Sequence, residues 1–122
     1  MEMRRLRRSF SCAIAGLIYC IKNEKNMKIH ILATIIAVIV ALVVKLNYTE
    51  WGLLILTIFM VLVAETINTA VEKTVDLVTT EYHPLAKTAK NLAAGAVLLA
   101  AIGSLLMAVV IFGSHITIIL NF

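Results

Sequence analysis

The segment from residue 51 to residue 76 decides the fold, and it reads WGLLILTIFMVLVAETINTAVEKTVD. Its first fourteen residues carry no charge, whereas its second half places four polar residues at spacings of three and four: Glu65, Asn68, Glu72 and Asp76. Because a helix turns by about 100° per residue, these four side chains fall within roughly 80° on its surface. The pattern predicts one long helix that begins in an apolar layer and carries this polar stripe where it leaves the layer.

Two further segments, 29–44 and 92–122, also lack Asp, Glu, Lys and Arg, and 61% of the chain is hydrophobic. Sixteen helical residues cover roughly 24 Å of a hydrocarbon layer about 30 Å thick, so the first segment spans it if Lys28 and Lys45 snorkel. We therefore predict an all-α integral membrane protein in one domain, 1–122, with three transmembrane helices at about 28–45, 50–71 and 90–114.

The N-terminal segment has the pattern of a helix that lies on a membrane surface. Apolar residues recur there at steps of three and four between about residue 4 and residue 23: Leu6, Phe10, Ala13, Ile14, Leu17, Ile18 and Ile21. Four arginines at its start suit an anionic lipid surface. We predict an amphipathic surface helix over about 4–23, in the cytoplasmic interface.

The distribution of basic residues predicts the orientation in the membrane. Seven of the eleven basic residues precede the first span, three lie between the second and third spans, and only Lys45 is in the first connection. The positive-inside rule places the N-terminus and the 72–91 loop in the cytoplasm and the 45–50 turn and the C-terminus outside. Since most of these charges flank membrane segments, we expect no nucleic-acid partner.

The polar stripe needs a neutralising partner, because a charge at the membrane centre costs about 2.5–3.5 kcal/mol on insertion scales. Mg²⁺ prefers carboxylate oxygens, keeps several waters and is often shared with substrate phosphates. Glu65 and Glu72 are about 10.5 Å apart along the helix axis, which predicts two roles. Glu72 would hold a metal with Glu24, and Glu65 would accept a proton nearer the lipid. The alternative, a solvated helix face outside the bilayer, stays open, above all for Asp76.

The next cytoplasmic segment, residues 81–91, reads EYHPLAKTAKN and places Lys87 and Lys90 on one helix face. Lysines beside metal-binding carboxylates suit a bound triphosphate, although the chain has no GxxxxGK[ST] loop and no kinase HRD or DFG motif. The residues thus predict a Mg²⁺–nucleotide site at the cytoplasmic membrane surface. The alternatives are flanking charges for both lysines, a loop histidine at His83 and an interfacial anchor at Tyr82.

Histidines and cysteines elsewhere are predicted to be structural. Nothing in the sequence pairs His30 or His115 with other ligands. Cys12 and Cys20 are eight residues apart, about 12 Å of helical rise, which is too far for a disulfide. We expect free thiols that face a reducing cytoplasm.

Small residues at 93–96 allow helices to approach closely. Three helices cannot readily enclose a polar stripe, so we expect a homo-oligomer.

Residues 65–101, ETINTAVEKTVDLVTTEYHPLAKTAKNLAAGAVLLAA, resemble the signature region of the prokaryotic diacylglycerol kinase family. The resemblance is greatest to its Gram-positive branch, which acts as undecaprenol kinase, and it extends through SFSCAIAGLIYCIKNEKNMKIH at 9–30. It implies a homotrimer in the bacterial cell membrane with active sites shared between neighbouring chains. It also implies ATP and Mg²⁺ at the cytoplasmic face and a lipid alcohol that enters from the bilayer.

The same resemblance implies roles for individual residues. Glu65 would be the general base on the lipid hydroxyl, with Asn68 organising the centre. The metal ligands would be Glu24 and Glu72, and Arg5 would reach phosphates or lipid. The ATP-binding residues would be Glu24, Glu72, Glu81, Tyr82, His83, Lys90 and Asn91.

One position departs from the family pattern, which has Lys-Asp where this chain has Lys90-Asn91. Asparagine keeps the shape of aspartate and loses its charge. We expect an active but weakened kinase that phosphorylates undecaprenol. Diacylglycerol kinase activity and a non-catalytic relative remain alternatives. A transporter or channel subunit would place charges near the middle of a span, whereas these charges cluster at one cytoplasmic edge.

Overall fold

The computed structural model describes residues 1–121, so Phe122, the last residue of the predicted domain, lies outside the described residues. Four helices follow one another along the chain: α1 (Glu2–Asn23), α2 (Lys25–Val44), α3 (Tyr48–Val78) and α4 (Pro84–Leu120). Three of them, α2, α3 and α4, are long and apolar enough to cross a membrane. The all-helical, multi-pass membrane architecture is therefore as predicted, while the limits of each span in the membrane stay predictions.

The junction between α1 and α2 is one residue long. Between the predicted surface helix, which ends at about residue 23, and the predicted first span, which begins at about residue 28, only Glu24 is non-helical, with φ −102° and ψ 118°. Its backbone N–H still bonds to the carbonyl of Cys20 at 3.0 Å. One extended residue is enough to redirect the chain, and this places the Glu24 carboxylate at the corner.

At the opposite end of the molecule, a capping box begins α3. The Asn47 side chain accepts a hydrogen bond from the Glu50 N–H at 2.9 Å, and the Glu50 carboxylate accepts one from the Asn47 N–H at 3.1 Å. The same carboxylate lies 2.9 Å from His115 Nε2 on α4. The expectation that His115 has no partner is therefore wrong. Glu50 joins the start of α3 to the end of α4.

The two roles of Glu50 predict that its removal destabilises the protein more than removal of His115 does. We expect Glu50→Ala to lower the melting temperature in detergent more than His115→Ala does. The first removes a helix cap and an interhelical bond, and the second removes the bond alone. Circular dichroism during heating measures both, with Glu2→Gln, an exposed carboxylate near the N-terminus, as control. A larger loss for His115→Ala would contradict the double role.

The apolar core is small, and most apolar side chains on the helices are exposed, as expected for lipid-facing surfaces. Its buried members lie near the same end as the capping box: Ala41, Leu46, Leu54 and Ile111. The chief helix–helix packing is between α3 and α4, which a short connection, residues 79–83, joins as antiparallel neighbours. The polar end of α3 and the start of α4 therefore lie at one end of the molecule.

α4 begins where the chain predicts a helix start. His83 is extended, with φ −145° and ψ 131°, and its Nδ1 accepts a hydrogen bond from the Leu85 N–H at 3.1 Å. Pro84 occupies the first helical turn, where a missing N–H is harmless. Proline disfavours a helical conformation in the residue before it, so α4 begins at Pro84 itself, six residues before the predicted third span at about 90–114.

Candidate functional site

Exposure rises along the polar stripe of α3. Glu65 is 1% exposed and Asn68 is 5% exposed, whereas Glu72 is half-buried and Asp76 is exposed. α3 continues as one unbroken helix through all four residues, as the spacing predicted. A solvated helix face is therefore the wrong description of Glu65 and Asn68, and it holds for Asp76 alone.

Two oxygen atoms of the stripe are buried without a hydrogen-bond partner among the described residues: Glu65 Oε2 and Asn68 Oδ1. The Asn68 amide donates instead to Glu72 Oε1, at 3.4 Å. A buried polar atom without a partner costs about 1–3 kcal/mol, and native proteins keep few of them. Two buried oxygen atoms without partners on adjacent turns are typical of a site that binds a proton, a cation or a substrate group.

α1 packs against α3 close to Glu65 and Asn68. Cys20 Sγ lies 3.5 Å from Thr69 Oγ1, and the Thr69 hydroxyl donates to the backbone carbonyl of Glu65 at 3.1 Å. One turn away, the Lys73 ammonium is 5.6 Å from the centre of the Tyr19 ring, a cation–π contact. Both cysteines of the chain are free thiols, as predicted, with Cys20 buried and Cys12 exposed.

The α1–α2 corner brings a further carboxylate, that of Glu24, to the stripe. Glu24 and Glu72 both lie close enough to Glu65 to act on it electrostatically. Among residues 1–121, no group of three or more His, Cys, Asp or Glu side chains is arranged to hold a metal ion. Glu24 and Glu72 offer hard carboxylate oxygens, and Mg²⁺ commonly uses only one or two protein carboxylates together with waters and substrate phosphates. The donor set fits Mg²⁺ on that basis.

The connection between α3 and α4 forms a cleft of about 250 Å³. Its lining contains five of the seven predicted ATP-binding residues and the second lysine of the predicted pair, while Glu24 and Glu72 do not line it: Glu81, Tyr82, His83, Lys87, Lys90 and Asn91. Lys90 Nζ is 2.7 Å from Asp76 Oδ1, a pair that the sequence did not predict. This contact joins the cleft to the exposed end of the polar stripe.

Arg5 is a predicted site residue that lies far from Glu24 along α1. Arg5 lies within the continuous helix α1, and Glu24 directly follows the end of that helix. The two residues are nineteen positions apart. At about 1.5 Å per residue, that separation is about 28 Å along the axis. Within one chain, therefore, Arg5 and Glu24 do not meet.

His30 is a residue of this site that sequence reasoning missed. Its Nε2 lies 3.7 Å from Glu65 Oε2, the same oxygen that has no hydrogen-bond partner. The prediction that nothing pairs with His30 is wrong. A usable signal was present, since His30 lies inside a segment without charged residues and an ionisable residue in a membrane span is a functional candidate by default.

Comparison with known proteins identifies the family of this chain. The family model for prokaryotic diacylglycerol kinase matches residues 11–112. An undecaprenol kinase of Bacillus subtilis is 39% identical over 111 residues, which are 91% of this chain and 90% of that protein. A diacylglycerol kinase of Synechocystis sp. is 41% identical over 100 residues, 81% of this chain and 57% of that protein. A diacylglycerol kinase of Helicobacter pylori is 44% identical over 79 residues, 65% of this chain and 61% of that protein.

Membrane-spanning helices, with a buried carboxylate and a cleft containing two lysines towards the same end, fit a membrane-embedded lipid kinase. The chain belongs to the prokaryotic diacylglycerol kinase family. The family match begins at residue 11, so Arg5 lies outside it.

Proposed function

We propose that this chain transfers the γ-phosphoryl group of ATP to undecaprenol and forms undecaprenyl phosphate in the bacterial cell membrane. The observation that carries the proposal is the buried Glu65 carboxylate, which has an unpaired oxygen where the apolar helix becomes polar. The choice of undecaprenol is supported by the Bacillus subtilis relative, which matches over nearly the full length of both chains. Diacylglycerol is the alternative substrate, supported by the names of the Synechocystis and Helicobacter relatives.

The proposed reaction is a direct displacement at phosphorus. Glu65 accepts the proton of the lipid hydroxyl, and the lipid oxygen forms a bond to the γ-phosphorus. The bond between that phosphorus and the β,γ-bridging oxygen breaks, and ADP leaves with the electron pair. Asn68 organises the centre, since its amide holds the Glu72 carboxylate on the next turn. Bound at Glu24 and Glu72, Mg²⁺ would neutralise charge on the phosphates.

We place the nucleotide in the cleft between α3 and α4. Glu81, Tyr82 and His83 would line the base and sugar, and Lys90 would hold the phosphates. Lys90 pairs with Asp76 in this structure, so the triphosphate must share or replace that partner. Both side chains are about half exposed, and a pair in contact with solvent is held by only about 0–1 kcal/mol. The exchange therefore presents little barrier to binding.

Orientation and assembly are also proposed. The N-terminus and the 72–91 loop face the cytoplasm and the C-terminus lies outside, as the distribution of Lys and Arg favours. The helix α1 lies along the cytoplasmic surface. We propose a homotrimer in which sites are shared, because Arg5 lies about 28 Å along α1 from Glu24 of its own chain and would serve a neighbour's site.

Phosphate transfer from labelled ATP tests the function. Undecaprenol and diacylglycerol are offered separately to the purified protein in mixed micelles with Mg²⁺. We expect label in undecaprenol at a higher kcat/KM than in diacylglycerol. The reverse ranking would assign the diacylglycerol activity. Absence of label in both lipids, from protein that is folded and assembled, would leave the non-catalytic relative as the answer.

Asn91 provides a separate prediction. It lines the cleft beside Lys90, where an aspartate would add a charge-assisted contact worth about 1.5–3 kcal/mol. We expect Asn91→Asp to raise kcat about tenfold, since about 1.4 kcal/mol of that contact corresponds to tenfold in rate. Steady-state turnover of the two proteins in the same micelles measures the difference. Equal turnover would show that Asn91 does not weaken the enzyme.

A further inference from the structure

We propose that His30 is a positioning residue for Glu65, an inference that rests on the function proposed above for Glu65. The imidazole of His30 reaches from α2 to the carboxylate on α3 and orients it for the lipid hydroxyl. The two side chains meet across 3.7 Å, between His30 Nε2 and Glu65 Oε2. The Glu65 side chain is 2% exposed and that of His30 is 18% exposed, so water has little access to the contact.

The specific oxygen involved is the first argument. Glu65 Oε2 is the buried oxygen that lacks a hydrogen-bond partner among the described residues. An N–H···O bond has its usual length near 2.9–3.0 Å, so 3.7 Å requires a closure of about 0.7 Å. Small rotations of two side chains supply that distance without any movement of α2 or α3.

The charges around Glu65 are the second argument. The other ionisable groups that act on it are carboxylates: Glu24 from the α1–α2 corner and Glu72 from its own helix. In the described part of the chain, His30 is the only basic side chain in contact with Glu65. A neutral imidazole with its proton on Nε2 donates a hydrogen bond without cancelling the charge that a general base requires.

The surroundings of the imidazole are the third argument. His30 lines a cavity of about 220 Å³ between α2, α3 and α4, whose other walls are mostly apolar, including Ala33, Leu54 and Ile58. Three hydroxyl residues also line it, but each hydroxyl donates to a backbone carbonyl of its own helix: Thr34, Thr57 and Ser104. The Glu65 carboxylate is therefore the charged side chain that the structure places within reach of the ring.

Kinetics of three variants test the inference. His30→Ala removes the donor, and we expect kcat to fall about 10–100-fold, the scale of a misplaced catalytic group, with KM for ATP unchanged. His30→Gln restores an N–H donor and should recover most of the loss. Thr34→Val is the matched control, since Thr34 lies one turn further on α2, lines the same cavity and bonds only to the His30 carbonyl, at 2.8 Å. Unchanged kcat in His30→Ala, or a loss that Gln does not recover, would overturn the proposal.

An infrared measurement separates this inference from the proposed function. Difference spectra against Glu65→Gln identify the carboxyl band of Glu65 in protein without substrate. We expect this band to shift in His30→Ala, to return towards its original position in His30→Gln and to stay in place in Thr34→Val. A band that His30→Ala leaves unmoved would overturn the pairing. Absence of turnover in the parent protein would instead refute the proposed kinase activity. In that case the position of the Glu65 carboxyl band in the variants would still show whether His30 contacts Glu65.

Discussion

Glu65→Gln is expected to lower the kcat of phosphate transfer about 10²–10⁴-fold, the usual contribution of a general base. Glutamine has nearly the same volume and fills the same buried position, so the helix packing should survive. ATP binding should also survive, because Glu65 lies about 16 Å along α3 from Asp76, which contacts the cleft. Turnover of labelled ATP and equilibrium binding of a fluorescent nucleotide measure the two effects on one preparation.

Thr66→Val is the matched control for that experiment. Thr66 is the next residue of α3, and its hydroxyl bonds only to the Leu62 carbonyl of its own helix, at 2.7 Å. We expect the control to keep turnover within about twofold of the parent, about 0.4 kcal/mol, since valine has nearly the shape of threonine and the lost hydrogen bond lies within one helix. Loss of nucleotide binding together with turnover in Glu65→Gln would contradict the role of a base and assign Glu65 to the nucleotide site.

Glu72→Gln is expected to raise the Mg²⁺ concentration for half-maximal activity at least tenfold, since a charged ligand oxygen becomes a neutral amide. Even groups that only support a metal ligand typically change metal affinity about 10–100-fold. Removal of Mg²⁺ by a chelator should abolish turnover of the parent, and excess Mg²⁺ should restore it. Nucleotide binding titrated against Mg²⁺ measures the shift without relying on turnover.

The matched control for Glu72 is Glu50→Gln, a carboxylate on the same helix at the opposite end of the molecule. Glu50 bonds to His115 and to the start of α3, so its loss should affect stability and leave the Mg²⁺ titration unchanged below the melting temperature. An unchanged titration in Glu72→Gln, beside a folded control, would remove Glu72 from the set of proposed metal ligands.

Several features of this protein follow from local pattern alone. Lipid offers no hydrogen bonds to a backbone, so long segments without charge must be helices, and α2, α3 and α4 are where these segments lie. A turn of about 100° per residue places Glu65, Asn68 and Glu72 on one stripe whatever surrounds them. Residues 65–101 also carried enough of a family signature for the resemblance that the family match confirms.

Contacts between helices could not be predicted in this way. Spacing defines which residues share a face, but it does not define which face of a neighbouring helix they meet, because that depends on side-chain packing at each crossing. The pairs His30–Glu65 and Glu50–His115 join residues 35 and 65 positions apart, and both histidines appeared unpaired in sequence. The burial of each side chain also depends on helix packing. Glu65 and Asp76 belong to one stripe, yet α1 and α2 cover only Glu65. The Glu65 carboxylate is therefore buried, whereas that of Asp76 is in contact with solvent.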